Sequence, residues 1–509
     1  VGSGCGGGVA AAVLAAAGLD VVLVEKGGSF SERDFAAMGE AEALSQTFER
    51  EALLATEDGG VLVLAGSCLG GGSAINWSAS FRTPGYVRRE WAERFGLDDF
   101  REGGAFDGAL DAVCRRLNVN VDYSHRGEGC PGEEGFVVNR NNELLWEGAR
   151  AAGRTPRAIP RNVKGCTDCG HCCHGCATGA KQTVVKAWLD QLPADARLRV
   201  LVHADARRVL LSPSGAAEGV EVLVRGGGGA GAPARLAIRS RAVVSSAGAL
   251  HTPALLLRSG LTHPKIGAHL CLHPVSLVVG FFPEESHTGM DAGVGMGVYV
   301  DDHMVTPGNK GYGVVIETLP FHSGIAAMAM PWTDPIAYRY WLAQYRRLTA
   351  FIGIQRDRSA ESNRVVLDSN GNPLLRYSLT PDDEATWTSG TAHMLSIAAS
   401  AGAAAVGTTS EGPGGRWFFL PGRGEGELER FVEGERRRRH SPGSDGVASA
   451  HQMGSCRMAS SRADGAVGPT GECWDAPGLW VADASLLPTS LGINPMVTIE
   501  AVALMVARR

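Results

Sequence analysis

Five cysteines crowd into one short stretch, at Cys166, Cys169, Cys172, Cys173 and Cys176. Taking Cys166, Cys169, Cys172 and Cys176 gives the spacing C-x2-C-x2-C-x3-C, that of a bacterial iron–sulfur ligand run, although Ala177 stands where proline would follow. Ligands this close along the chain can surround one iron–sulfur cluster or one zinc ion. They are too close together to staple distant parts of a fold, so disulfides are an inefficient use of them. An iron–sulfur cluster, a structural zinc, and reduced thiols or local disulfides all stay open as readings of the segment.

A second constellation opens the chain. Gly2-Ser3-Gly4-Cys5-Gly6-Gly7 fits G-x-G-x-x-G. Alone that match is weak, but its surroundings strengthen it. Val9 to Ala17 is rich in Ala and Leu and predicts a helix, which Gly18 ends. Val21 to Val24 is a β-branched run that predicts a buried strand, with Glu25 at its end. Helix, strand and acid in this order form the layout of a dinucleotide-binding βαβ unit. Gly2 and Gly4 let the backbone turn and approach a pyrophosphate, and Gly7 lets helix and strand pack closely. The helix N-terminus offers free N–H groups to the anion. Glu25 accepts from the adenosine ribose hydroxyls. Because the motif starts at the second residue, a leading strand is expected upstream.

Further elements must position these groups. A second Gly-rich loop runs from Gly66 to Asn76, followed by Trp77. Short strands are predicted at Arg199 to Val202, Val220 to Val224, Ala242 to Ser246 and Leu479 to Ala482. Helices are predicted at Leu144 to Ala152, from Thr252 to Arg258, from Pro381 through His393 to Ala399, and from Val497 to Ala507. Gly226 to Gly229 predicts a hairpin tip or insertion. Between Leu272 and Ile354, short β-like runs alternate with Gly and Pro breaks, the pattern of a sheet-rich second domain. Nucleotide-type segments thus stand at the start, middle and end. The expected fold is α/β, a Rossmann-like nucleotide domain discontinuous in sequence, with an inserted α+β substrate domain on a mostly antiparallel sheet. The expected division is 1–85 and 196–270 for the nucleotide domain, 86–195 for a covering and Cys-rich segment, 271–445 for the substrate domain, and 446–509 for a C-terminal nucleotide-domain part.

A chain of 509 residues exceeds one hydrophobic core. Its 44% apolar and 20% charged residues suit a globular protein, and a net charge of -6 supplies no basic field for nucleic acid. The run Arg436 to Arg439, ending at His440, reads as a solvated loop. No uncharged apolar stretch is long enough for a spanning helix.

Four ordered segments resemble the glucose–methanol–choline oxidoreductases. The first is the N-terminal motif, and the second is Leu69-Gly70-Gly71-Gly72-Ser73-Ala74-Ile75-Asn76. The third, Gly248 to Leu261, matches the family's second signature except that Thr262 follows in place of Gly. The fourth is the C-terminal block. It comprises His451 to Met458, Leu479 to Ser485, and Gly492-Ile493-Asn494-Pro495-Met496-Val497-Thr498. The resemblance implies FAD as cofactor. By it, Gly2, Ser3, Gly4, Gly7, Glu25, Gly71, Gly72, Ser73, Asn76, Ala206, Gly248, Asp483, Ala484, Asn494 and Pro495 bind the cofactor, and His451 and Asn494 are catalytic. His451 would take the hydroxyl proton of an alcohol while Asn494 holds its oxygen and the flavin takes the hydride. His269 and His273 are read as structural.

The Cys-rich segment, Gly179-Ala180-Lys181-Gln182 after it, and Asn76-Trp77-Ser78-Ala79-Ser80 with Thr83-Pro84 resemble the long-chain (fatty) alcohol oxidase subgroup. Its members oxidise a long-chain primary alcohol with dioxygen to the aldehyde and hydrogen peroxide. That resemblance implies membrane association through an N-terminal hydrophobic region outside this chain. A cluster at the cysteines would carry electrons off the flavin to a partner, making the enzyme a dehydrogenase. A photodecarboxylase shares the fold, but His451, Asn494 and the Cys-rich segment together argue against it. A non-catalytic flavoprotein or an incomplete gene product is favoured by the missing leading strand and opposed by the intact pair His451 and Asn494.

Overall fold

The computed structural model describes all residues except 122–138, 226–232, 286, 307, 321, 331, 333, 410–417, 420–425, 440 and 442–444. The first helix, Cys5–Ala16, begins with three glycines that lower helix propensity by about 0.8–1 kcal/mol each relative to alanine. The reason is space. A Cβ on Gly6 would lie 1.8 Å from the Ala482 carbonyl oxygen, one on Gly7 would lie 1.9 Å from that of Gly2, and one on Gly8 would lie 2.5 Å from Val184. The bare helix face therefore packs directly on backbone at Gly6 and Gly7 and on the Val184 side chain at Gly8. The final helix, Met496–Arg508, packs against the first. Its Val497, Val502 and Leu504 are buried, each contributing about 1.5–3 kcal/mol of apolar transfer.

Two parallel strand pairs flank the first residues. Val21–Val24 pairs with Leu198–Leu201, and Val243–Ser245 pairs with Leu479–Val481. The Val1 nitrogen donates to the Val244 carbonyl (2.7 Å), the Ser246 amide donates to the Val1 carbonyl (2.7 Å), and the Gly2 amide donates to the Val24 carbonyl (2.8 Å). Val1 and Gly2 thus lie in the slot between the two pairs, where the leading strand of a βαβ unit belongs. A three-stranded antiparallel sheet, Ala204–Leu211, Ala217–Val224 and Ala234–Arg239, joins this half. The tract Gly226 to Gly229 lies outside the described residues.

The second sheet has ten strands among the described residues. At its centre Val275–Phe281, Leu348–Gln355 and Val314–Thr318 pair antiparallel. One pairing is parallel, Val447–Ser449 with Val61–Val63. The sheet also draws in Leu54–Ala55 and Pro156–Ala158, strands from far earlier in the chain. Behind it lies the helix Pro381–Ser400, opened by a capping box in which Thr380 and Asp383 satisfy each other's backbone amides.

The basic run departs from its expected solvated state. Arg436 closes the helix Glu427–Arg436, and Arg437 is exposed and pairs with Glu433. Arg438 turns inward, pairs with Glu435 and Asp445, and sits 5.5 Å above the Trp387 ring. Two buried carboxylates compensate the charge, which a count of basic residues does not reveal. Among the described residues no helix is long and apolar enough to cross a membrane.

Candidate active site

A cavity of about 270 Å³ lies where the two halves meet. Its wall includes Gly2, Ser3, Gly4, Glu25, Gly71, Gly72, Asn76, Ala206, Gly248, Asp483, Ala484, Asn494, Pro495 and His451. Of the residues expected at the cofactor, Gly7 and Ser73 stand apart. Gly7 is the packing contact already described. Ser73 is buried behind the loop, donating to the Gly70 carbonyl (2.7 Å) and accepting from the Val184 amide (3.0 Å). It shapes the loop and does not line the cavity.

The two Gly-rich loops face each other. Gly71 has φ +51°, and a Cβ there would lie 2.7 Å from the Gly4 Cα. A Cβ on Gly4 meets nothing closer than the Gly71 Cα at 3.8 Å, so on that side only the cavity's occupant would object. Glu25 ties the first loop together. Its Oε2 accepts from the Ser3 amide (3.1 Å) and hydroxyl (2.6 Å), and its Oε1 accepts from the Gly27 amide (2.8 Å). A carboxylate has about four lone-pair sites, so one stays available to a ribose hydroxyl. Asp483 is more fully engaged, accepting from the Gly248 and Ser485 amides and the Thr252 and Ser485 hydroxyls. Burial raises its pKa, and these four donors oppose the rise.

Lys26, Glu49 and His251 also line the cavity, in contact with one another; Lys26 follows Glu25 and His251 lies in the segment Gly248 to Leu261, but neither is singled out in the sequence. Burial alone would raise the Glu49 carboxyl, but His251 and Lys26 together hold it far below the carboxylate range.

His451 follows the strand Val447–Ser449, and Asn494 precedes the final helix. Burial lowers the His451 pKa to about 4, so the ring is neutral near pH 7. Its Nδ1 lies 3.2 Å from Nδ1 of His273. The amides of Leu491 (3.0 Å) and Gly492 (2.8 Å) donate to Nε2 of His273. That fixes the His273 proton on Nδ1, aimed at His451, whose own remaining proton then sits on Nε2. His273, expected to be structural, is thus the direct partner of His451.

Asn494 directs Nδ2 toward Glu317 Oε2 (3.5 Å), while its Oδ1 is buried without a hydrogen-bond partner. Glu317, in the strand Val314–Thr318, is wholly buried with Oε1 unpartnered, and burial raises its pKa to about 8. No local pattern marks this residue, which only the sheet register brings to the site.

The thiolate set expected at Cys166, Cys169, Cys172 and Cys176 does not assemble. The four residues surround a second cavity of about 20 Å³, space for about one water and too little for an iron–sulfur cluster. Nor do their sulfurs close on a single ion, the geometry zinc requires. Individual sulfurs accept from local donors instead: Cys166 from the Asp168 amide, Cys172 from the Ser78 hydroxyl, Cys176 from the Lys181 amide. The buried Lys181 ammonium donates to the carbonyls of Cys172 (2.7 Å) and Asn76 (2.8 Å), joining this segment to the cavity wall. All cysteines among the described residues are free thiols.

The residues present therefore fit FAD and do not fit an iron–sulfur cluster. Family profiles described as GMC oxidoreductase match residues 6–275 and 359–503. Over 99% of this chain, a long-chain-alcohol oxidase of Arabidopsis thaliana, FAO4A, is 37% identical. A second, FAO1, is 32% identical over 100% of it. The chain spans 66% of the length of each. Among solved structures, a pyridoxine 4-oxidase from Mesorbium loti superposes with TM-score 0.67 at 17% identity, covering 100% of this chain and 97% of that one. An FAD-dependent oxidoreductase from Chaetomium thermophilum does so with TM-score 0.68 at 18% identity, covering 100% and 97%. At such identities the superpositions speak for the fold alone.

Proposed function

The chain belongs to the GMC oxidoreductase family, and from that membership we propose that it oxidises a long-chain primary alcohol to the aldehyde and passes the electrons to dioxygen, forming hydrogen peroxide. The observation that carries this reading is the meeting of His451 and Asn494 on one cavity with both Gly-rich loops, in a chain 37% identical to a long-chain-alcohol oxidase. FAD, when bound, supplies the hydride-accepting ring that no side chain offers.

The chain's own residues do the remainder. Gly4, Gly71 and the N-terminus of Cys5–Ala16 receive the pyrophosphate, and Glu25 a ribose hydroxyl. Trp77, Met296 and Met496 give the cavity apolar walls suited to an alkyl chain. One Nδ2–H of Asn494 is directed toward Glu317, and the other would donate to the substrate oxygen, leaving the hydroxyl proton free to go to His451. His451 then takes the hydroxyl proton, which makes the carbon a hydride donor. At rest the His451 lone pair points at His273, so base action requires the ring to turn and carry that lone pair to the substrate side.

The same hydrogen bond favours a second reading, in which His451 stays in place. Its Nε2–H then stabilises the alkoxide oxygen while water takes the proton. His451→Gln separates the two, since glutamine keeps an N–H donor but is no base. A loss equal to that of His451→Ala supports the base, and a much smaller loss supports the donor.

The overall reading is tested by mixing the flavin-loaded protein anaerobically with dodecanol and then admitting air. Bleaching of the flavin, followed by recovery with peroxide release, is expected. A flavin that stays oxidised refutes alcohol oxidation. Reduction without reoxidation in air points to a dehydrogenase feeding an electron carrier.

A further inference from the structure

The Cys-rich segment does place metal-ligating groups together, but they are its histidines. One ring nitrogen from each of His171, His174 and His322 lies within 4.8 Å of the other two, the only such group of His, Cys, Asp or Glu among the described residues. His171 precedes and His174 ends the short turn Cys172–His174, and His322 stands at the N-cap position of the helix Ser323–Ala329. The rings of His174 and His322 are 4.3 Å apart, and those of His171 and His322 are 5.2 Å apart.

We propose that His171, His174 and His322 form a binding site for one divalent cation of the zinc type. His174 is buried, and its Nε2 has no hydrogen-bond partner, an expense that a metal bond removes. Nε2 of His322 donates to the Gly170 carbonyl (3.2 Å). That bond fixes the tautomer and leaves the Nδ1 lone pair to bind, the outer-shell arrangement common to metal-ligating histidines. The nearby carboxylates are occupied elsewhere. Glu40 accepts from the Gly324 and Ile325 amides and so braces the turn bearing His322, and Asp291 pairs with His287. His171 is exposed, so the fourth position of a tetrahedral ion opens to water. Zinc–nitrogen bonds of about 2.0–2.1 Å require the three rings to draw together slightly. The ion would clip the Cys-rich turn to the segment leading into Ser323–Ala329.

The test uses the flavin-loaded protein stripped with chelator, then titrated with zinc and separately with cobalt. One equivalent of zinc should bind. His174→Ala and His322→Ala should lower affinity at least tenfold, and so should His171→Ala, whose exposed ring makes misfolding an inadequate explanation. Flavin content should be unchanged in all three. Bound cobalt should lack a thiolate charge-transfer band, and Cys169→Ser should bind as the parent does. No binding, a thiolate band, or full affinity in the histidine variants would overturn the site.

Discussion

Glu317 is a wholly buried carboxylic acid whose one hydrogen bond, from Asn494, is long, and replacing it with its neutral isostere should change stability in a pH-dependent way. Burial moves its pKa from 4.5 to about 8. Below 4.5 the side chain is protonated in both folded and unfolded chains and contributes no pH dependence. Between 4.5 and about 8 the unfolded chain releases the proton while the folded chain keeps it, so stability falls as pH rises. At about 1.4 kcal/mol per pH unit, the loss accumulates to about 5 kcal/mol and then levels off. Glu317→Gln abolishes this term and preserves shape. Chemical denaturation of the flavin-loaded parent and variant from pH 5 to pH 9 should show stabilities within about 1 kcal/mol of each other at the acid end. The gap in favour of the variant should then widen steadily to about pH 8. Taking the difference cancels other groups with the same behaviour, such as Glu500. A gap that stays flat across the range would refute the neutral-acid reading of Glu317. Ionised Glu317 would also hold the Asn494 Nδ2 differently, so flavin reduction by alcohol should change through pH 8 in the parent but not in the variant.

His451→Ala should slow anaerobic flavin reduction by about 10²–10⁴-fold with normal flavin content, as stopped-flow absorbance would record. In the parent the same rate should fall as pH drops through about 4, where His451 becomes charged and has no lone pair to give. Gly4→Val should yield a folded protein without flavin, because its Cβ clears the neighbouring loop and intrudes only on the cofactor. Normal flavin content in that variant would refute the pyrophosphate site. Lys181→Met should lower stability by about 1.5–3 kcal/mol per lost charged hydrogen bond, and weaken flavin retention through Asn76, measurable by thermal release of flavin.

The nucleotide half was readable because its constraints are local. Val21–Val24 forms as expected, and the helix expected from Val9 starts earlier, at Cys5, because its glycines serve tertiary packing that outweighs propensity. The helix beginning at Pro381 was equally plain from its proline and acidic first turn. Glu317, His273 and Glu49 left no local trace, since each reaches the site through pairings between distant strands and loops. The cysteine spacing was legible but misleading. It describes distance along the chain, whereas the glycines at 170 and 175, both at positive φ, turn the sulfurs toward separate partners and bring His171 and His174 together.

The flavin cavity draws its wall from residues near 1, 70, 250, 450 and 495. During synthesis no early portion of the chain can complete that wall, because Met496–Arg508 must pack on Cys5–Ala16 first. Cofactor capture consequently waits until the segment Met496–Arg508 has been made and has docked. Until then the apolar faces of the first helix and its strands lack their cover, a span in which aggregation competes with folding.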